Sequence, residues 1–131
     1  MKFTPQEELD ILPIGEYDAV VKRAEEKNSN AGNAMIEVIL TCYAPNGQLD
    51  VFDYLVPDAM AWKVRHFCKS ADIDYMKGEL TEAMCVGKNV RVSLTQKKAP
   101  GYPLRNNVDD YLERNGSPSL IPAKQDDDIP F

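Results

Sequence analysis

The sequence predicts a mainly β fold of five strands, with a helix between the third strand and the fourth. Three observations carry this reading. Runs rich in β-branched and aromatic residues, split by polar turns, read as strands over Gly15 to Ala24, Met35 to Tyr43 and Leu49 to Val56. The apolar spacing becomes helical after Pro57. Strict alternation then returns at Asn89.

The first strand opens at Gly15. Tyr17, Ala19, Val21 and Arg23 fall on one face, and Asp18, Val20, Lys22 and Ala24 on the other. Residues Lys27 to Asn33 form a polar turn. The second strand, Met35 to Tyr43, is apolar on both faces in its second half, which predicts a central position. Pro45-Asn46-Gly47 reads as a hairpin turn carrying an Asn-Gly pair. In the third strand, Leu49 to Val56, residues Leu49, Val51 and Leu55 oppose Asp50, Phe52, Tyr54 and Val56. Met60, Val64, Phe67 and Ala71 stand 4, 3 and 4 apart, one face of a helix with Asp58 as its N-cap. A second short helix is predicted over Glu79 to Met84. The fourth strand, Asn89 to Thr95, turns Val90, Val92 and Leu94 inward. A basic loop, Lys97 to Pro103, leads to the fifth strand, Asn106 to Leu112. Three strands, a helix and two strands is the order of an OB-fold, a small five-stranded Greek-key barrel. The runner-up is another small α+β sandwich with the same local elements. Residues 1–114 form this domain. Residues 115–131, opening on Asn115-Gly116-Ser117-Pro118-Ser119, are predicted as a flexible linker and an acidic C-terminal tail.

A chain of 131 residues is one domain, large enough for a core without staples. A hydrophobic fraction of 44% opposes wholesale disorder. Cys42, Cys68 and Cys85 are widely spaced and form no CxxC, which predicts reduced thiols and a cytoplasmic location. The first residues lack the apolar stretch of a secretory signal. No apolar run approaches the roughly 18–20 residues of a membrane span. The formal net charge is −6, and residues 1–116 hold 14 bases and 18 acids. That balance opposes nucleic-acid binding by the surface as a whole, so a nucleic-acid site must be a local patch.

The sharpest local signal is Asp126-Asp127-Asp128-Ile129-Pro130-Phe131. The Phe131 ring and its terminal carboxylate suit an apolar pocket edged by Arg or Lys. Pro130 restricts itself and Ile129 to extended geometry, which lowers the ordering cost. Three aspartates speed encounter with a basic surface. An acidic end that only aids solubility explains the aspartates and leaves the Ile-Pro-Phe unexplained.

These six residues resemble the C-terminal tip of bacterial single-stranded DNA-binding proteins. That resemblance implies binding to replication, recombination and repair proteins. The body is similar to a different group, small proteins from phage replication and recombination modules. The resemblance rests on Gly15-Glu16-Tyr17, Ser29 to Met35, Val51 to Leu55, Trp62 to Cys68, and Gly87-Lys88. It implies an OB-fold that binds single-stranded DNA in a bacterial host cytoplasm. The body pattern of the bacterial tetrameric family is absent, so a homo-oligomer stays open.

Single strands are held by cations that track phosphates and by flat rings on which bases stack. An OB-fold offers its second and third strands, with the loops joining strands one to two and four to five. The candidate cations are Lys22, Lys27, Arg91, Lys97, Lys98 and Arg105. The candidate rings are Tyr43, Phe52, Tyr54 and Tyr102. The stretch Lys88 to Asn107 contains no acid, which stands out in an acidic protein. The opposing account of Tyr43, Phe52 and Tyr54 is ordinary packing. Trp62 suits a lid on the barrel as well as a base.

Other functions leave weaker marks. Asp50, Asp53, Asp109 and Asp110 could gather about a metal ion, yet Asp109 and Asp110 point to opposite strand faces. A thiol paired with His66, the lone histidine, is a further enzyme reading. No phosphate-cradling or His-Glu motif is present, so no catalytic residue, metal or cofactor is predicted. The main alternative is an adaptor or decoy that captures host repair proteins without strong DNA binding. RNA is the alternative ligand.

Overall fold

A computed structural model describes residues 1–114 apart from Thr4, Gln6 and Ser29. The linker and tail read from the sequence, Asp126 to Phe131 included, lie outside the described residues. The strands are β1 (Glu7–Glu8), β2 (Gly15–Asn28), β3 (Ala34–Ala44), β4 (Gly47–Leu55), β5 (Asn89–Lys97) and β6 (Arg105–Leu112). Between β4 and β5 lie α1 (Ala61–Ala71), a 3-10 turn (Tyr75–Lys77) and α2 (Glu82–Cys85). The sheet runs β1-β4-β3-β2-β5-β6, antiparallel from β2 to β6. The five predicted strands and the helix therefore stand in the predicted order. The short β1, parallel to β4, is an addition. The predicted closed barrel is not reached, because no ladder joins β4 to β6 and the sheet stays open there. No described helix is long and apolar enough to cross a membrane.

Alternation builds the core. Val38, Leu40 and Cys42 from β3, Val90, Val92 and Leu94 from β5, and Leu55 from β4 are fully buried against Phe67 of α1. The predicted faces of β2 fail after Val21. Val21 pairs with Leu40 but Arg23 pairs with Ile39, so Lys22 is an extra residue in a bulge. The faces then exchange: Arg23 is exposed and Ala24 packs on the core. The residues before β2 also belong to the fold. Leu12 is fully buried, and its N–H and carbonyl bond the Asn106 side chain at 2.8 and 2.9 Å.

Three local expectations are corrected. The hairpin turns on Pro45 and Asn46, with Gly47 already paired to Ala44. Proline's fixed φ favours the first central turn position, which moves the turn one residue ahead of the Asn-Gly pair. Asp58 does not cap α1. The N-cap is Met60, without a side-chain cap bond, and its N–H donates to the Val56 carbonyl at 2.8 Å. The second helix is a single turn, and Thr81 accepts from the Met84 N–H at 3.2 Å. Ahead of β5, Gly87 takes φ 84° and donates its N–H to the Val21 carbonyl at 2.8 Å. That left-handed conformation costs other L-residues roughly 1–2 kcal/mol.

A buried charge spans the open seam. Lys63 of α1 lies on the inner face of its helix. Its Nζ donates to Asp53 Oδ1 of β4 at 3.0 Å and to the Val108 carbonyl of β6 at 2.8 Å. Tyr111 of β6 donates its hydroxyl to Asp53 Oδ2 at 2.7 Å. Burial pushes the Asp53 carboxyl up, against the opposing pull of the Lys63 charge and the Tyr111 hydrogen bond. Burial also raises the Tyr111 phenol well above its ordinary range, with the Asp53 charge adding to it. The Tyr111 ring meets Phe67 edge-on at 5.0 Å between centroids.

Two outcomes follow for stability and thiol chemistry. Lys63→Met removes the donor of Asp53 Oδ1 and of the Val108 carbonyl, and should cost about 3–5 kcal/mol in urea unfolding. Replacing Asp53, Lys63 and Tyr111 together by Leu, Met and Phe should recover most of that loss, since no buried charge is stranded. A Lys63→Met protein as stable as the parent would show that the Lys63 bridge does not hold the seam. The three cysteines are buried, and burial pushes the Cys42 and Cys85 thiols up to about 12. A thiol-specific disulfide reagent at pH 8 should label none of them in the native protein and all three in denaturant. Rapid labelling of the native chain would contradict the buried positions.

Candidate nucleic-acid interface

Cross-strand partners share a sheet face, and the ladders define the outer face in rows. Asp18 of β2, Tyr43 of β3 and Gln48 of β4 form one row. Val20, Thr41 and Asp50 form the next. Arg23, Ile39 and Phe52 follow, then Glu25, Glu37 and Tyr54. Phe52 is 55% exposed, and Tyr43 and Tyr54 are each 46% exposed, so these rings are not core packing. Phe52 and Tyr54 stand two residues apart on one strand. Tyr43 lies about 13 Å further along the face at roughly 3.3 Å per residue.

Three cations at this face, Lys22, Lys27 and Arg91, are occupied, whereas exposed Arg23 enters no ion pair among the described residues. Lys22 in the bulge reaches Asp50 at 2.8 Å, and Asp50 also accepts from the Thr41 hydroxyl at 2.8 Å. Lys27 pairs with Glu37 at 2.6 Å. Arg91 of β5 pairs with Asp18 at 2.8 Å and with Glu16 at 3.6 Å. The Lys27 hydrogen bond holds the Glu37 carboxyl below its usual range, despite its partial burial, and the Tyr54 hydroxyl adds to the effect. Burial raises the Asp50 carboxyl, but the Lys22 and Thr41 hydrogen bonds outweigh it and leave it lowered. The hydrogen bond to Glu37 raises the Tyr54 phenol. Lys22, Lys27 and Arg91, three of the four cations named from the sequence on β2 and β5, thus meet carboxylates.

The other cations differ. Lys97 of β5 and Arg105 of β6 are direct ladder partners. Both are exposed, and neither enters an ion pair among the described residues. Like charges placed opposite each other destabilise a sheet, so stability does not account for this pair. Lys98 bonds the Tyr102 carbonyl, which ties the loop back on itself. Tyr102 is 67% exposed at the loop tip.

The open seam brings the two halves together. A cleft of about 410 Å³ between β4 and β6 is lined by Phe52, Tyr54, Glu37, Arg105, Asn106 and Asn107, among others. Arg105 is close enough to Tyr54 to act on its phenol electrostatically. Two rings, a guanidinium and an exposed amide therefore converge on one cleft. Asn106 is committed to Leu12 and Thr95, whereas Asn107 makes only a long contact of 3.5 Å from its amide to the Val108 carbonyl. Of the sequence candidates, Phe52, Tyr54 and Arg105 meet here. Lys97 stands beside Arg105, Lys98 and Tyr102 lie on the adjoining loop, and Tyr43, Lys22, Lys27 and Arg91 lie on the sheet face. Arg23, Ile39, Glu37 and Asn107 were not named from the sequence. The bulge that exposes Arg23 and the seam that admits Asn107 have no local sequence signal.

The acids considered for metal binding are dispersed. Asp50 serves Lys22, Asp53 serves Lys63, and Asp110 faces His66 Nδ1 at 2.8 Å. Among the described residues, no group of three or more His, Cys, Asp or Glu is placed to hold a metal ion. His66 also meets the exposed Trp62 edge-on at 5.8 Å, so that ring sits on the helix surface rather than over the core. The chain matches no protein-family model and no curated protein.

Proposed function

We propose that this protein binds single-stranded DNA with little sequence preference, in phage or bacterial replication, recombination or repair. The single observation that carries the reading is the β4–β6 cleft, where exposed Phe52 and Tyr54 stand beside Arg105. Bases stack on the two rings, and Arg105 with Lys97 receives the phosphates. Tyr43 extends the stacking surface along the sheet, and Tyr102 with Lys98 extends it along the loop. The sheet is an OB-type barrel left open at one seam, and bound DNA lies across that seam. Residues Asp126 to Phe131 recruit partner proteins, the ring of Phe131 filling a pocket and the aspartates steering the encounter. A second reading, an adaptor or decoy without strong DNA binding, is favoured by the ion pairs that occupy Lys22, Lys27 and Arg91.

A titration of fluorescent oligo-dT, duplex DNA and RNA at two salt concentrations separates these readings. Preference for oligo-dT over duplex, weakening as salt rises, is the expected result. Phe52→Ala and Tyr54→Ala should each cost roughly 1–3 kcal/mol of binding. Lys97→Ala with Lys98→Ala should flatten the salt dependence. Equal affinity for duplex, or no binding at low salt, would sink the proposal and leave the adaptor. For the tail, a pull-down of host repair factors should fail with Phe131→Ala while oligo-dT affinity holds. Undiminished capture by Phe131→Ala would reduce the tail to a solubilising end.

A further inference from the structure

We infer that Glu37 and Asp50 are built-in competitors for phosphate, which keep Lys27 and Lys22 from the DNA backbone until a strand displaces them. This rests on the reading that the face binds single strands. Four observations lead to it. Each carboxylate sits on the outer face in the rows that flank Phe52, so each borders the stacking surface. Each occupies a lysine directly, Glu37 on Lys27 at 2.6 Å and Asp50 on Lys22 at 2.8 Å. Each has a second anchor on the same face, the Tyr54 hydroxyl for Glu37 and the Thr41 hydroxyl for Asp50. Both also line the cleft that holds Arg105.

A carboxylate accepting from an ammonium group and a hydroxyl presents what a phosphate oxygen would present. The exposed lysine side chains keep the exchange cheap, most of all at Lys22–Asp50, because ion pairs open to water contribute little to stability; Glu37 is the more covered of the two carboxylates. The arrangement has two consequences. Phosphate contact at these lysines first requires release of a carboxylate, so they add less to affinity than a free lysine would. Stacking on Phe52 and Tyr54 does not require it, so the face favours ligands with unstacked bases over a duplex that offers phosphates alone.

Glu37→Gln and Asp50→Asn test this in the full-length chain, with Glu113→Gln as control. Glu113 pairs with Lys69 of α1 and lies off the sheet face. All three changes remove one negative charge. Glu37→Gln and Asp50→Asn should each tighten oligo-dT binding about 3–10-fold at low salt, with the gain fading as salt rises. The slope of log affinity against log salt should steepen by roughly 0.7 for each lysine released to a phosphate. Adding Lys27→Met to Glu37→Gln should abolish the gain. Glu113→Gln should change affinity less than 2-fold. Equal tightening by Glu113→Gln would show a net-charge effect and overturn the inference. Weaker binding by Glu37→Gln would make that carboxylate a base acceptor and overturn it too. Unchanged binding of both variants, with a wild type that binds, overturns the inference and spares the proposed function. Binding by the variants alone would support the competition and overturn DNA binding by the native chain.

Discussion

β4 and β6 confront each other with no ladder between them, and the Lys63 ammonium group, with the Tyr111–Asp53 hydrogen bond beside it, holds them at a fixed separation. Lys63 Nζ contacts a β4 carboxylate and a β6 carbonyl at once. It thereby satisfies a backbone acceptor that a closed barrel would satisfy with a strand. Desolvating Lys63 and Asp53 is costly, and apolar residues of the same volume would pack as well. What the charged arrangement supplies is direction. An ammonium hydrogen bond has a defined length, so it sets the distance between the edges where an apolar contact would let them slide.

The exposed aromatic surface depends on that distance. Asp53 points inward from β4, while its neighbours Phe52 and Tyr54 point outward. The same strand therefore carries the buried network on one face and the exposed rings on the other. Anchoring Asp53 to α1 and β6 stiffens the backbone behind the rings, and it sets how far Arg105 stands from Tyr54. A fully paired β4–β6 edge would fill the cleft, and an unanchored one would leave its width undefined.

Charge on this protein is organised by position rather than by total. A net charge of −6 opposes a nucleic-acid partner for the surface as a whole. The carboxylates of the sheet face are spent on lysines and an arginine, while Lys97 and Arg105 face each other at the seam with no ion pair among the described residues. Screening confines each charge to about 8–10 Å, so what matters at the cleft is local: Arg105 lines it together with Asp10, Glu37, Asp50 and Asp53, and Lys97 stands beside Arg105.

Strand order, the central place of β3, the outward set Asp50, Phe52 and Tyr54, the inward set Val90, Val92 and Leu94, and the acid-free stretch Lys88 to Asn107 were all legible in the sequence. Each is a matter of period or composition within one segment, and period two dictates which side chains share a face. The bulge at Lys22, the burial of Lys63 and Asp53, the anchoring of Leu12 by Asn106 and the open seam were not. A bulge shifts the phase of alternation without a marker residue, so Arg23 was assigned to the wrong face. Lys63 reads as a solvated helix residue until β4 and β6 arrive on either side of it. The sequence alone determined most of the rings and cations that the outer face and the β5–β6 loop offer. Only the tertiary structure decided which cations are free to act, because ion pairs such as Lys22–Asp50 and Lys27–Glu37 join residues 28 and 10 apart whose meeting depends on strand register.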